Sequence, residues 1–161
     1  MKTICDWLEK ILWFAAAACL AVFSILTFTQ VVSRGIGHPI VWTEEIARFS
    51  FIYMVFLGSA VGVRRGSHYS FNAFAKCKSR AVLFISKLSV LILEFLFLAF
   101  LFYTSMQFLP QMLKRASSTL RIPVAVPYFS IVLFAGVGCI FMLEIIAVYF
   151  RNSKEGKETT L

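Results

Sequence analysis

Four long apolar runs, separated by short charged breaks, leave this chain few ways to fold. The first, Ile11 to Ser33, carries no charged residue. About 20 apolar residues of helix cross a bilayer core, so this run is long enough to span. The second, Phe49 to Val63, is 15 residues without a charge. It reaches spanning length if helix starts near Val41 and Trp42 anchors the interface. The third, Leu88 to Leu109, holds one charge, Glu94, and Pro110 is expected to close it. The fourth, Ile122 to Phe150, holds one charge, Glu144. Pro123 and Pro127 fall in its first turns, where the missing N–H matters least.

Composition agrees. The chain is 60% hydrophobic with a mean hydropathy of +0.82, whereas soluble domains are nearer half apolar. The expected fold is an all-α integral membrane protein. It forms a single domain over residues 1–161, with spans at about 11–33, 44–63, 88–109 and 122–150 and a polar tail at 151–161. The first run exceeds the roughly 7–15-residue core of a signal peptide and is read as a retained helix. No repeat of 20–50 residues is evident. The net charge of +8 does not point to nucleic acid, because the basic residues lie between apolar blocks rather than on one face. They point to topology instead. With both termini inside, eleven of the sixteen Lys and Arg fall on the inner side, which predicts cytoplasmic termini. Residues 69–84 alternate basic and apolar side chains and are read as a segment lying along the membrane surface.

The polar residues then matter most. Glu44 and Arg48 are four apart, acid first, and form a favourable helical pair. Glu45 points about 100° away from Glu44 and needs water or another cation. One reading is a capped helix start at the outer interface; the other is contact with a partner. Glu94 is seven residues past Lys87 and Glu144 seven before Arg151, so both sit about 10 Å from the inner edge. An acid there must be protonated, paired or facing a polar partner. Arg64, Arg65 and Lys87 are within snorkelling reach. Internal pairing, a bridge to another subunit and a proton relay all remain open. Gly58 and Gly62 form a GxxxG, and Ala135, Gly136, Gly138 and Cys139 a similar smooth patch, both read as helix contacts within or between chains. The outer loop offers Lys114, Arg115 and Arg121 as charged docking contacts.

Enzymatic chemistry is not expected. Cys5, Cys19, Cys77 and Cys139 form no CxxC and no zinc spacing. His38 and His68 lack a nucleophile or orienting carboxylate in a triad order, and no phosphate-binding or metal motif occurs. Neither a metal nor a cofactor is expected on this chain.

The stretch "VWTEEIARFSFIYMVFLGSAVGVRRGSH" (Val41 to His68) resembles the small membrane subunit of tripartite ATP-independent periplasmic (TRAP) transporters, the DctQ-like family. The residues that carry the resemblance are Arg34, Trp42, Glu44, Glu45, Arg48, Gly58, Arg64 and His68. "LRIPVAVPY" (Leu120 to Tyr128) resembles the Leu-x-Ile-Pro start of that family's last helix. Asn72 stands where an acid often follows the His, and Val132 and Leu133 where a second proline often lies. The resemblance implies a non-catalytic inner-membrane partner of a large transport subunit. That larger subunit would carry the substrate and sodium ions and move elevator-fashion against a static scaffold. A periplasmic binding protein would deliver an organic acid such as a C4-dicarboxylate or sialic acid. Two other readings stay open: a self-associating four-helix exporter and a structural membrane protein without a transport role. Exporters of that kind place a key acid in the first helix, where residues 11–33 offer only Gln30 as a large polar group.

Overall fold

A computed structural model describes residues 2–38, 40–65, 80–117 and 119–154. Among these residues there are four α-helices: α1 (Lys2–Gly35), α2 (Val41–Arg64), α3 (Arg80–Leu113) and α4 (Ala125–Lys154). All four are long and apolar enough to cross a membrane.

The helices overrun the apolar blocks that announce them. α1 begins at Lys2 rather than near Ile11, while α2 begins at Val41, the start that a full second span requires. α3 starts at Arg80 and passes through Pro110 to Leu113. Hydropathy marks where lipid ends, and helix hydrogen bonding continues past that boundary wherever nothing breaks it. Pro110 removes only one bond, in the last turn, so it does not stop the helix. α4 begins three residues later than its apolar run, at Ala125. Pro123 lies outside it, paired with Ala116 in an isolated antiparallel bridge. Pro127, at the third helical position, has no N–H to leave unsatisfied. Of the proposed surface segment, residues 69–79 lie outside those described, and residues 80–84 belong to the start of α3.

The turn between α1 and α2 has a chemical cause. The His38 N–H donates to the Ser33 carbonyl at 3.0 Å, and that of Gly37 to Arg34 at 3.1 Å. This pair of bonds is a Schellman cap, and it needs a left-handed residue at its corner. Gly37 supplies it with φ 82°. At the start of α2, Ile40 is extended and gives no side-chain cap; the Thr43 hydroxyl bonds back to the Ile40 carbonyl at 2.7 Å.

α1 packs on α2, α2 on α4, and α4 on α3. The two central helices are the better buried: α4 buries 39% of its apolar stretch and α1 none. The main core gathers at one end, where Cys5, Val63, Leu91, Leu98, Phe141, Met142, Ile145 and Tyr149 meet. Between α3 and α4 the small residues act as the approach surface. A Cβ added at Gly138 would lie 3.1 Å from Leu98, and one at Gly136 3.3 Å from Phe102. Gly58 and Gly62 differ, since added Cβ atoms would meet nothing within 4 Å. The GxxxG of α2 is therefore not a helix contact among the described residues of this chain.

Candidate functional site: two polar clasps and a basic hairpin

Inside lipid there is no hydrophobic force between apolar helices, so polar contacts and close packing must hold them. Charged side chains gather at both ends of the helices.

At the end formed by the start of α1 and the finish of α2, Arg64 joins three helices. Its Nη1 donates to the Cys5 carbonyl at 2.7 Å and to Glu9 at 2.6 Å. Its Nη2 pairs with Asp6, and its Nε lies 3.5 Å from Glu144 of α4. The guanidinium also sits over the Phe141 ring, 5.4 Å from its centroid. The side chain is only 11% exposed, so its donors need these acceptors. Arg65, next to it, donates to Glu9 at 2.7 Å. Arg64 thus reaches Glu144, and the alternative of an intramembrane acid bare to lipid does not arise there. Glu94, half-buried on α3, has no ion-pair partner among the described residues.

Sequence reasoning missed two members of this clasp. It began the first span at Ile11 and counted the helix as uncharged. In fact α1 carries Asp6 and Glu9, three apart and on one face. The signal was available: an antiparallel hairpin puts the start of α1 level with the end of α2, where Arg64 and Arg65 stand.

At the opposite end, Glu44 gathers three donors. Arg48 reaches it at 3.2 Å, and Arg34 and Gln30 of α1 at 3.3 Å each. Arg34, Glu44 and Arg48 are substantially exposed, and Gln30 is half-buried. Trp42 is also exposed beside them. Glu45 behaves differently. It is 9% exposed and accepts the Leu120 backbone N–H at 2.7 Å. Its partner is a neutral main-chain group, not the water or cation expected. Nearby, the Tyr53 hydroxyl donates to the Val126 carbonyl at 2.7 Å, tying α2 to the first turn of α4.

The loop from Lys114 to Val124 forms a small hairpin. Ser117 N–H donates to Ile122 at 2.8 Å, and Val124 N–H to Arg115 at 2.9 Å. Lys114, Arg115 and Arg121 are all exposed on it. His68 lies outside the described residues. No group of three metal-ligating side chains occurs among the described residues.

Four apolar crossings tied by charges at both ends define an all-helical, multi-pass membrane protein. Comparison with known proteins makes this specific. The family described as tripartite ATP-independent periplasmic transporters, DctQ component, matches residues 23–152. The chain belongs to that family, whose members are small permease subunits of the inner membrane. It is 37% identical over 71 residues to a putative TRAP transporter small permease protein of Haemophilus influenzae, covering 44% of each chain. It is 32% identical over 76 residues to the sialic acid TRAP transporter small permease protein SiaQ of Vibrio cholerae, covering 47% of this chain and 42% of that one. It is also 39% identical over 57 residues to the sialic acid TRAP transporter permease protein SiaT of Haemophilus influenzae, covering 35% of this chain and 9% of that protein. The matched segments span less than half the length of each of these relatives.

Proposed function

We propose that this chain is the non-catalytic scaffold of a TRAP transporter, bracing a large transport subunit that takes up an organic acid with sodium ions. One observation carries the reading. The charges of the two clasps are spent within the chain, while its outer helices turn large apolar side chains outward. On α1 these include Trp7, Phe14 and Phe28, and on α3 Leu93, Phe97 and Phe100. This distribution supports a protein that holds neighbours rather than one that moves solutes through itself. That a segment like this one forms 9% of a larger permease protein supports lasting physical association with a transport subunit.

In this reading the Arg64 end is cytoplasmic and the Glu44 end periplasmic, following the excess of Lys and Arg on the inner side. Trp42, Arg34 and Arg48 sit at the outer interface. Gly58 and Gly62, open among the described residues, and Glu94, without an ion-pair partner among them, are the contacts offered to the large subunit. The hairpin with Lys114, Arg115 and Arg121 faces the periplasmic binding protein that delivers the substrate. The substrate is an organic acid of the C4-dicarboxylate or sialic acid kind, and two relatives are named for sialic acid. Sodium binds on the large subunit.

Reconstitution tests this. The lone chain in proteoliposomes is expected to carry no solute under a sodium gradient, and co-expression with its large subunit is expected to yield a complex that does. Uptake by the lone chain would return the self-associating exporter to first place.

A further inference from the structure

The α3–α4 connection is short, yet it is built rather than slack. Two cross-strand bonds close it, Ser117 to Ile122 and Val124 to Arg115. At its tip Arg121 takes φ 53°, a left-handed conformation that side chains of ordinary residues seldom adopt. Such a turn persists only where its surroundings fix it. A hydrogen bond to another element lies one residue away. The Leu120 N–H, immediately before Arg121, points at Glu45 and meets it at 2.7 Å. Glu44 and Glu45 are adjacent, yet they do unlike work. Glu44 is exposed and gathers Gln30, Arg34 and Arg48. Glu45 is buried and holds main chain belonging to another element.

We infer that Glu45 is the positioning residue for the basic hairpin. It fixes the hairpin's backbone on α2, so that Lys114, Arg115 and Arg121 present a preorganised cationic surface to an acidic patch on a soluble partner. A side-chain ion pair would steer the arginines themselves and consume their charge. A bond to the Leu120 amide fixes the loop and leaves Lys114, Arg115 and Arg121 without an ion-pair partner among the described residues. Preorganisation raises affinity by removing the ordering cost at docking. The inference rests on the docking role proposed above for this hairpin.

The test uses the full complex with its large subunit and binding protein, in nanodiscs and proteoliposomes. Glu45→Ala removes the acceptor. Glu45→Asp keeps the charge but is one methylene too short to reach. Glu45→Gln keeps a carbonyl oxygen at the right length. Hydrogen exchange at Leu120 is expected to speed up roughly tenfold in E45A and E45D, and to stay near wild type in E45Q. The concentration of binding protein giving half-maximal uptake is expected to rise severalfold in E45A and E45D. The maximal rate should hold, and E45Q should restore the wild-type value. Should E45A fail to fold, the contrast of E45D with E45Q carries the test alone. Unchanged exchange at Leu120 overturns the inference, and so does faster exchange with an unchanged half-saturating concentration. Replacement of Arg115 and Arg121 by alanine separates the two claims: if it leaves half-saturation untouched, the docking role of the hairpin fails, whatever Glu45 does.

Discussion

At the scale of single residues, burial separates the charges that hold this protein from those that decorate it. Arg64 is 11% exposed and serves acceptors on α1 and α4 at once. Arg64→Ala would leave Glu144 without its cation and Glu9 with Arg65 alone, at a cost of about 3–5 kcal/mol. A large drop in melting temperature in detergent is the expected outcome, with Arg64→Lys falling between, because an ammonium lacks the planar fork. Glu44→Gln should cost under about 1 kcal/mol, since its arginines are well exposed and screened. Equal losses from the two substitutions would contradict this ranking. Sequence legibility divides the same way. The Glu44–Arg48 pair is local and could be read from its four-residue spacing. The Arg64 partners lie 55 to 80 positions away and become visible only once the helix order is known. The Leu120 amide has no side-chain signature, so nothing in the letters could have named it as the partner of Glu45.

At the scale of elements, glycine spacing told less than glycine surroundings. Gly58 and Gly138 both sit in small-residue patches, yet one faces open space and the other presses on Leu98. Leu98 is itself fully buried in the core and has little room to yield. Gly138→Ala should therefore destabilise the isolated chain by about 1–3 kcal/mol. Gly58→Ala should leave it unchanged or slightly more stable, because alanine favours helix by about 1 kcal/mol. Thermal unfolding of the two variants decides the matter; a loss at Gly58 in the lone chain would show a contact that the structure lacks. The four crossings were legible because hydropathy is a property of composition. The start of α1 and the end of α3 were not. Nothing polar halts α1 before Lys2, and a proline one turn from the end of α3 removes too little to stop it.

For the whole molecule, the proposed orientation puts the basic hairpin outside and the Arg64 end inside. In a cysteine-free background, a cysteine at Arg115 should react with a membrane-impermeant maleimide added to intact cells. One at Lys10 should react only after the membrane is opened. The reverse pattern would invert the proposed topology and carry the basic hairpin to the wrong side for a periplasmic partner. The hairpin of α1 and α2 has a further meaning for how such a chain is made. Asp6 and Glu9 precede Arg64 in the chain and leave the ribosome first, and Glu144 emerges last of all. The order of synthesis therefore makes both counter-ions available to the guanidinium once the second crossing is made, before the fourth exists. A nascent protein of two helices can shelter its most awkward cation unaided, and the final helix arrives to a site already electrically quiet.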